Sequence, residues 1–581
     1  MINIKENESL NILNHSCAHL LAQAVKHLYP NALFWVGPVV ESGFYYDIDL
    51  GDEVIKEEDL EKIEKEMKKI SKDGKRIVRH EISKEEALEQ FKDDPYKLDL
   101  ISRMDEDDTV ISCYSQGDFT DLCRGPHVES VKVLKHFKLL KVSGAYWKGD
   151  ANNKMLQRIY GVCFENAEDL EKHLEFIEEA KKRDHRKLGK ELDLFMISEY
   201  GPGFPFFLPK GMILRNILEN FWYEEHTKEN YQFIKTPIML NKELWQVSGH
   251  WDNYRENMYT SEIDEKEFAI KPMNCPGGML VYKNFLHSYK DLPIRCGELG
   301  QVHRHEASGA LNGLFRVRTF TQDDAHIFMR EDQIEEEVIN LISFIDRVYA
   351  LFGLSYDIEL STRPEEKYIG TIESWDRSEA ILEKACNMAG HECKINPGDG
   401  AFYGPKLDFH IKDSLGRVWQ CGTIQLDANL PERFDLTYID TDGSKKRPVM
   451  LHRVIFGSIE RFIGILIEHF AGAFPVWLSP VQVNVIPVNN QYHLEYAKEI
   501  YSMLREKGFR VELDDREEKL GYRMRESVMK KYPYTLVLGQ KEVDSKTISF
   551  RKHGSEETIS VSIEEFVEFL NKKIDSKDIK Y

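Results

Sequence analysis

Residues 295–328 read RCGELGQVHRHEASGALNGLFRVRTFTQDDAHIF and carry the clearest fold signal in the chain. A serine- and glycine-rich centre separates two runs of strand-like composition, which predicts two antiparallel strands joined by a turn. In this interpretation Arg304 and Glu306 share one side of the first strand, and Arg316 and Arg318 lie on the returning strand. An arginine can bind a phosphate while a nearby carboxylate accepts a hydrogen bond from adenine. By spacing alone, a cross-strand ion pair between Arg304 and Glu306 is the simpler alternative.

The length and composition around this hairpin set the class of protein. A chain of 581 residues predicts roughly three to four domains, because about 150 residues fill one domain. Hydrophobic residues make up 42% and charged residues 30%, the balance of a folded globular protein. Without an apolar run of about 20 residues or a signal-like N-terminus, we expect a cytoplasmic protein with no membrane segment. Nine cysteines without regular spacing predict free thiols rather than disulfides.

The formal net charge of -21 argues against nucleic-acid binding driven by the charge of the whole chain. Any RNA must therefore bind local basic surfaces, for which residues 181–190 (KKRDHRKLGK) and 516–531 are the candidates. On charge alone, each segment is more simply explained as a solvated helix face.

Element patterns divide the chain into four segments. Residues 1–164 mix short apolar runs with helical ones, which predicts an α+β domain. Residues 165–190 place apolar residues at helical spacing among Glu, Lys and Arg, which predicts one long linker helix. Residues 191–477 alternate strand-like runs, such as 313–320, with helical ones, which predicts an antiparallel sheet flanked by helices. In residues 478–581 strands and helices alternate as in a small doubly wound α/β domain.

Three segments resemble the motifs of class II aminoacyl-tRNA synthetases. Residues 295–328 resemble motif 2, and their ending TQDDAHIF resembles the threonyl-tRNA synthetases in particular. YQFIKTPIM at 231–239 and GSIERFIGIL at 457–466 resemble motifs 1 and 3 in the family order. The resemblance implies a ligase that uses ATP and Mg²⁺ to join threonine to tRNA(Thr), and a homodimer packed through motif 1. Taken singly, a strand capped by Pro237 and an amphipathic helix explain the outer two motifs.

The family pattern also assigns individual residues to the synthetic site. It implies that Arg304 and Arg461 neutralise the phosphates and that His250 in SGHWDNY assists transfer to tRNA. Asp324 and Tyr403 are expected to bind the hydroxyl and amino groups of threonine. The remaining substrate and ATP positions are Met273, Glu306, Arg316, Phe320, Gln322, Lys406, Gln420, Thr423, Gln425 and Ser458.

Cys275, His326 and His452 are too far apart in the sequence for a spacing rule to link them. Each alone is more simply a buried cysteine or a hydrogen-bonded histidine. In the family, the matching residues hold one zinc ion per subunit. Three protein ligands leave an open position for the amino group and β-hydroxyl of threonine, which excludes valine but not serine.

A second group of chemistry-bearing residues lies near the N-terminus. His15 and His19 stand at i and i+4 in HSCAHLLAQAV, and DLCRGPHVES adds Cys123 and His127. By spacing alone these four residues are a tetrahedral zinc set. The strings resemble the editing domain that threonyl- and alanyl-tRNA synthetases share, which implies hydrolysis of serine mischarged onto tRNA(Thr), while a structural metal stays open. Two further positions of that pocket match Lys97 and Asp121.

Residues 481–581 resemble an anticodon-binding domain through the strings DDREEKLGYRMRE and YTLVLGQKEV. Glu542 and Arg551 match positions that read anticodon bases, whereas Glu517 stands where the family more often has Asn. The editing region begins within the first fifteen residues, so the small ubiquitin-like domain of most bacterial relatives is expected to be absent.

An inactive RNA-binding paralogue and a sister ligase are the two alternative functions. A catalytically inactive RNA-binding paralogue would require damage at Arg304, Arg461 or the zinc set, and the sequence carries none. A sister ligase for serine or proline is disfavoured by the three metal-type residues and by the HSCAH string.

Overall fold

A computed structural model describes residues 3–104, 111–150 and 152–581. The chain divides into two compact units, Met1–Glu179 and Ala180–Tyr581, called here the N-terminal and C-terminal units. Among the helices in these ranges, none is both long enough and apolar enough to cross a membrane.

The N-terminal unit is an α+β structure in which α1 (Glu8–Leu28) packs against α2, β3 and β8. Its other helices are α2 (Leu60–Asp73), α3 (Lys84–Gln90), α4 (Pro95–Ser102) and α5 (Ala167–Arg183), which continues past the unit boundary. Its strands are β1 (Leu33–Phe34), β2 (Val39–Val40), β3 (Gly43–Asp49), β4 (Ile77–Ile82), β5 (Ile111–Gln116), β6 (Phe119–Leu122), β7 (His136–Tyr146) and β8 (Met155–Phe164). One sheet has the order β1-β3-β8-β7 with β2 beside β3, and another has the order β4-β5-β6.

The C-terminal unit begins with helices and short strands and then builds a large sheet. Its helices before residue 470 are α6 (His185–Glu191), α7 (Pro209–Lys228), α8 (Lys242–Ser248), α9 (His250–Asn253), α10 (Cys275–Lys283), α11 (Ile334–Leu351), α12 (Ile372–Met388), α13 (Asn429–Arg433) and α14 (Ile459–His469). The strands are β9 (Phe195–Ile197), β10 (Pro205–Phe207), β11 (Gln232–Phe233), β12 (Met239–Asn241), β13 (Thr260–Ile263), β14 (Lys266–Ile270), β15 (Ile294–His303), β16 (Thr319–Met329), β17 (Ser355–Ser361), β18 (Cys393–Asn396), β19 (Lys406–Lys412), β20 (Val418–Asp427), β21 (Tyr438–Ile439), β22 (Lys445–Lys446) and β23 (Val449–Val454).

Eight of these strands form the predicted sheet, in the order β11-β15-β16-β23-β20-β19-β17-β18. Its central pairs are antiparallel, and the two edge pairs, β11 with β15 and β17 with β18, are parallel. Alternation along β19 explains how one face packs: Leu407, Phe409 and Ile411 are fully buried in the core. Lys406 and Asp408 then point to the opposite face, because successive side chains of a strand alternate. That face carries the candidate site.

The last region of the chain is a separate five-stranded sheet of order β25-β24-β26-β27-β28. Its strands are β24 (Val483–Pro487), β25 (Val511–Leu513), β26 (Tyr534–Leu538), β27 (Thr547–Lys552) and β28 (Ile559–Ser562). Its helices are α15 (Asn490–Glu506), α16 (Leu520–Met529), α17 (Gln540–Ser545) and α18 (Ile563–Asp575). The first three strands are parallel, as predicted, while β27 and β28 are antiparallel additions.

Residues 165–190 form two helices rather than the single predicted helix. Asp184 separates α5 from α6, because its side chain accepts the backbone N–H of Arg186 at 2.8 Å and so caps the second helix. The backbone N–H of His185 also leaves the helical pattern and donates to Glu468 Oε1 at 3.0 Å. The cap at Asp184 and the contact with the buried Glu468 therefore interrupt the helix, although the apolar spacing of the segment is continuous.

The central hairpin is present, but its strands are shorter than predicted. β15 ends at His303 and β16 begins at Thr319, so the predicted strand over 313–320 is largely loop. Asn312 and Arg316 close a tight turn, in which Gly313 has a φ of +49°. Arg304, Glu306 and Arg316 therefore lie in the connecting loop instead of on the strands.

Candidate active sites

Strand register brings distant predicted residues into one row on the open face of the large sheet. His326 pairs with His452 across β16 and β23, and His452 pairs with Gln425 across β23 and β20. Gln425 in turn pairs with Lys406 across β20 and β19. Directly paired residues project to the same face of a sheet, so these four side chains are neighbours. The same face includes Gln322 and Asp324, which precede His326 at intervals of two.

Cys275 joins the two histidines of this row from the first turn of α10. The sulfur of Cys275 and one ring nitrogen each of His326 and His452 all lie within 4.8 Å of one another. All three residues are buried. The predicted metal-type set is thus brought together by the fold.

The donor set of this cluster fits a zinc ion. Burial lowers the pKa of His326 to about 4, which keeps its ring neutral, and its Nε2 is buried without a hydrogen-bond partner among the described residues. His452 Nε2 lies 2.8 Å from Asp427 Oδ2, which fixes the orientation of that ring. Burial raises the pKa of the Cys275 thiol, whereas a bound cation would favour the thiolate. One cysteine and two histidines form a zinc site that retains an open position.

Two connected chambers lie over this face. The inner chamber is lined by Met273, Cys275, Asp324, His326, Tyr403, Lys406, Gln425 and His452. The outer chamber is lined by Glu306, Arg316, Phe320, Ser458 and Arg461. Four predicted residues line both chambers: Arg304, Gln322, Gln420 and Thr423. A ligand with one end near the metal-type cluster can therefore place its other end among the arginines.

The outer chamber is cationic. Arg304 donates from Nε to the carbonyl oxygen of Pro272 at 3.2 Å, and its guanidinium lies 5.1 Å from the centre of the Phe320 ring. Arg461 lies in the first turn of α14, where its backbone N–H donates to the capping Ser458 Oγ at 3.1 Å, and its buried Nε has no hydrogen-bond partner among the described residues. Glu306 forms its ion pair with Arg316, at 3.6 Å, rather than the cross-strand pair with Arg304 that spacing favoured.

Three residues that the sequence did not single out orient the predicted ones. Asn274 donates to Asp324 Oδ2 at 3.0 Å, and Asp408 accepts a hydrogen bond from Thr423 Oγ1 at 3.0 Å while pairing with Lys406. Asp427 holds His452. Two of these residues could have been predicted from the sequence, because Asn274 is next to Cys275 and Asp408 follows Lys406 by two residues. Nothing in the sequence connected Asp427 with His452, because β20 and β23 are distant in the chain.

His250 is adjacent to the inner chamber but is absent from the linings of both chambers. It is fully buried, with Nδ1 2.8 Å from Ser248 Oγ and Nε2 3.1 Å from the sulfur of Met273. Burial lowers its pKa to about 3, so the ring is neutral.

The N-terminal unit brings its predicted residues into a second cluster. Donor atoms of His15, His19, Cys123 and His127 all lie within 4.8 Å of one another. Sγ of Cys123 is 3.2 Å from Nε2 of His15 and 3.2 Å from Nε2 of His127. Burial lowers the pKa of His19 to about 4 and of His127 to about 2, and raises that of Cys123 to about 12. Three neutral imidazoles therefore surround a protonated thiol.

The tautomer of His127 follows from its neighbour Ser16. Ser16 Oγ donates to the carbonyl oxygen of Ile12 at 2.8 Å, so it can only accept from His127 Nδ1, 3.1 Å away. The proton of His127 therefore lies on Nδ1, and the lone pair of Nε2 points into the cluster. A lone pair of this kind can accept a hydrogen bond from water or ligate a metal.

Asp121 and Lys97 form a buried ion pair beside this cluster. Lys97 Nζ is 2.5 Å from Asp121 Oδ1, and Tyr46 donates its hydroxyl proton to Asp121 Oδ2. Burial alone would raise the pKa of Asp121, but the charge of Lys97 and the hydrogen bonds from Lys97 and Tyr46 hold it below its usual value. His19 Nε2 lies 4.0 Å from this carboxylate. All six predicted residues of the N-terminal unit thus belong to one site.

The two predicted C-terminal residues lie on neighbouring elements. Glu542 in α17 is buried, and its carboxylate accepts the backbone N–H of Gly539 at 2.9 Å and the hydroxyl of Ser549 at 2.7 Å. Arg551 follows Ser549 by two residues on β27, and its Nε donates to Thr558 Oγ1 at 2.9 Å. Glu542 and Arg551 are therefore near one end of the same sheet.

Comparison with family profiles finds matches in both units. Residues 259–470 match the tRNA synthetase class II core domain (G, H, P, S and T). Residues 482–573 match an anticodon binding domain, and residues 111–160 match the second additional domain of threonyl and alanyl tRNA synthetases.

Full-length relatives agree with these profiles. The chain is 60% identical to the threonine–tRNA ligase of Fusobacterium nucleatum subsp. nucleatum over 100% of this chain and 93% of that one. It is 57% identical to the threonine–tRNA ligase of Clostridium tetani over 100% of this chain and 92% of that one. Among solved structures, the RNA binding domain of threonyl-tRNA synthetase from Cryptosporidium parvum Iowa II is 41% identical with a TM-score of 0.65, covering 67% of this chain and 98% of that one.

Proposed function

The chain belongs to the threonine–tRNA ligase family, and on this premise we propose how its residues divide the work. It is an ATP-dependent ligase that activates threonine and transfers it to tRNA(Thr), with a separate hydrolytic site in the N-terminal unit for seryl-tRNA(Thr). Arg304, Arg461 and the three metal-type residues are all in place, so an inactive paralogue is not supported.

The two chambers of the synthetic site share a wall, and the assignment of roles rests on this observation. Threonyl-adenylate has an amino acid at one end and an adenosine phosphate at the other. Gln420 and Thr423 line both chambers and are suited to contact the adenylate between its two ends. We place threonine in the inner chamber and the ATP phosphates among the arginines of the outer one.

In the first step, a carboxylate oxygen of threonine attacks the α-phosphorus of ATP, and pyrophosphate leaves with the electron pair of the broken P–O bond. Arg304 and Arg316 offset charge on the phosphates, together with the Mg²⁺ that accompanies ATP, and Arg461 is assigned to the γ-phosphate. Because the protein forms no covalent bond here, positioning and electrostatic stabilisation account for the rate.

Selection of threonine takes place in the inner chamber. A zinc ion held by Cys275, His326 and His452 would supply an open coordination position for the amino group and β-hydroxyl of threonine. Asp324, oriented by Asn274, accepts a hydrogen bond from the hydroxyl. Tyr403 also lines the inner chamber and is assigned to the amino group. Valine offers a methyl group where the hydroxyl is needed, and it is rejected because these polar groups would be left unpaired.

In the second step, the terminal 3′-hydroxyl of tRNA attacks the carbonyl carbon of the adenylate, and AMP leaves. His250 is the candidate to assist this transfer, because it contacts Met273 of the inner chamber and its ring is neutral, so it can orient the attacking hydroxyl through a hydrogen bond. Glu542 and Arg551 are proposed to contact the anticodon at the far end of the tRNA. We also propose a cytoplasmic location, where ATP and tRNA are available.

Arg304→Ala is expected to reduce threonine-dependent pyrophosphate exchange by roughly 100- to 1,000-fold, the typical effect of removing one donor that stabilises transition-state charge. The exchange of labelled pyrophosphate into ATP measures this step without tRNA. Arg347→Ala is the matched control, since Arg347 lies on α11 with half its side chain exposed and lines neither chamber. Equal exchange rates in the two variants would contradict the role of Arg304. A wild-type chain that binds ATP and threonine without any exchange would contradict the ligase itself.

Hydrolysis of seryl-tRNA is proposed for the cluster of His15, His19, Cys123 and His127. Neutral imidazoles can orient a water molecule near the ester carbonyl and accept its proton. The Lys97–Asp121 pair supplies a fixed carboxylate next to His19. The alternative is a structural metal, which the close approach of the same four donor atoms favours.

A homodimer is proposed through the motif 1 segment. β11 is an edge strand of the large sheet, so one side of its backbone is free to meet another chain. Phe233, Ile238 and Met239 in this segment expose 41%, 40% and 41% of their surface. Only Phe233 lies on β11 itself, but exposed apolar side chains grouped in one short segment are typical of an interface.

Ile238→Glu is expected to convert the dimer into a monomer, because a charge would be buried without a partner at the interface. Sedimentation velocity at micromolar concentration measures the mass. Ile395→Glu is the matched control: Ile395 is an isoleucine on β18 at the opposite sheet edge, with 52% of its surface exposed. A monomer in both variants, or a dimer in both, would place the interface elsewhere.

A further inference from the structure

One residue of the basic segment 181–190 is buried beside the outer chamber. His185 is 1% exposed, and its ring centre lies 4.0 Å from that of Phe315, a lining residue of the chamber. Its neighbours Asp184 and Arg186 pair with each other at 2.5 Å. This part of the segment is thus an internal contact of the C-terminal unit rather than a free basic surface.

Both ring nitrogens of His185 are engaged by different elements. Nε2 lies 3.0 Å from the backbone nitrogen of Leu314, and because a backbone N–H can only donate, Nε2 must accept. The ring proton is therefore on Nδ1, which donates to Glu468 Oε1 at 2.7 Å. Although Asp184, His185 and Glu468 are close enough to be considered as metal ligands, this ring has no free lone pair. It bridges α14 and the loop after residue 311.

Glycines in the loop after residue 311 and in α14 allow the close contacts around His185. A Cβ atom on Gly313 would lie 2.1 Å from His185 Nε2, and the φ of +49° at Gly313 also favours glycine. A Cβ atom on Gly464 of α14 would lie 3.0 Å from the Phe315 ring, so this helix and the loop are in close contact. The first turn of the same helix carries Arg461, and the same loop carries Arg316. His185 therefore joins the two elements that supply the arginines of the outer chamber.

We infer that His185 is a positioning residue for ATP, which acts by holding residues 313–316 against α14. This inference deepens the proposed function and rests on it, since it assumes that the outer chamber binds ATP. Leu314 is fully buried, so removal of the acceptor leaves its N–H without a partner and displaces the loop. Threonine binds on the other side of the shared wall and is not affected.

Two near-isosteres separate the two hydrogen bonds of the ring. His185→Gln places an amide oxygen near the position of Nε2 and keeps the bond from Leu314. His185→Asn places an amide nitrogen near the position of Nδ1 and keeps the bond to Glu468. Threonine-dependent pyrophosphate exchange gives the KM for each substrate. We expect the KM for ATP to rise about tenfold in the Asn variant and less than about threefold in the Gln variant, with an unchanged KM for threonine in both.

Equal KM values for ATP in the two variants, or a KM for threonine that rises with that for ATP, would overturn the inference. A wild-type chain that shows no exchange would instead contradict the proposed function. Thermal unfolding of each variant is measured in parallel to show that it is folded. Gly313→Ala provides a second variant that leaves His185 in place but pushes the loop away from its ring. It is expected to raise the KM for ATP alone, and an unchanged KM in this variant would also overturn the inference.

Discussion

Replacing Cys275 with serine is expected to remove zinc binding and, with it, threonine activation. A serine hydroxyl keeps its proton at neutral pH and is a poor zinc ligand, so only His326 and His452 would remain. Metal analysis of dialysed protein should show a decrease from about one zinc per chain to almost none. Pyrophosphate exchange with threonine should decrease by roughly 100-fold or more, because even an outer partner of a zinc ligand typically matters 10- to 100-fold.

Two cysteine variants serve as controls for this experiment. Cys386 is a buried thiol on α12 outside the cluster, so Cys386→Ser should retain both zinc and exchange. Cys123→Ser tests the N-terminal cluster, because a structural metal there would appear as a second zinc that this variant loses. Full zinc content in Cys275→Ser would disprove the assignment of the synthetic metal site. Loss of exchange with zinc retained would assign Cys275 a role other than ligation.

The second large effect is expected for editing in His19→Ala. The variant should hydrolyse seryl-tRNA(Thr) roughly 100-fold more slowly or worse, since general acid–base residues contribute about 10²–10⁴-fold. Threonine charging should remain near wild type, because every residue of the synthetic site lies in the C-terminal unit. Deacylation of purified seryl-tRNA measures the hydrolytic step, and charging with serine measures the accumulated error.

His27→Ala is the matched control for His19→Ala. Both histidines are on α1, but His27 contacts Glu66 and Asp118 near the end of the helix and is outside the cluster. Wild-type editing in His27→Ala together with defective editing in His19→Ala would locate the effect at the cluster. Unchanged hydrolysis of seryl-tRNA by His19→Ala would refute the hydrolytic assignment and leave the structural metal as the better interpretation.

Local patterns were sufficient to predict several parts of these sites. The spacing of His15 and His19 placed both on one face of α1, where the structure has them. The intervals of two from Gln322 to Asp324 and His326 agree with the single face of β16 on which the structure has them, although these residues were predicted from the family resemblance. Helix and strand periodicity of this kind depends only on residues near one another in the chain. The class II resemblance extended these patterns to the correct fold class, which the eight-stranded sheet confirms.

Other parts were decided by contacts between distant segments. Apolar spacing continues through Asp184, yet the helix breaks there, because His185 binds Glu468 and Leu314 in the folded chain. The residues Arg304 and Arg316 lie in a loop rather than on strands, because the turn at Gly313 folds against α14. Neither contact has a signal in the local sequence.

The residue types available for chemistry, and those that share a helix or strand face, can be read from the amino-acid sequence. The row of His326, His452, Gln425 and Lys406, and the contact by which Asp427 orients the ring of His452, exist only in the folded chain. They depend on strand register, which is set by hydrogen bonds and packing between segments far apart in the chain. A shift of one residue would turn every side chain of a strand to the other face, so local periodicity predicts each strand but not their common row.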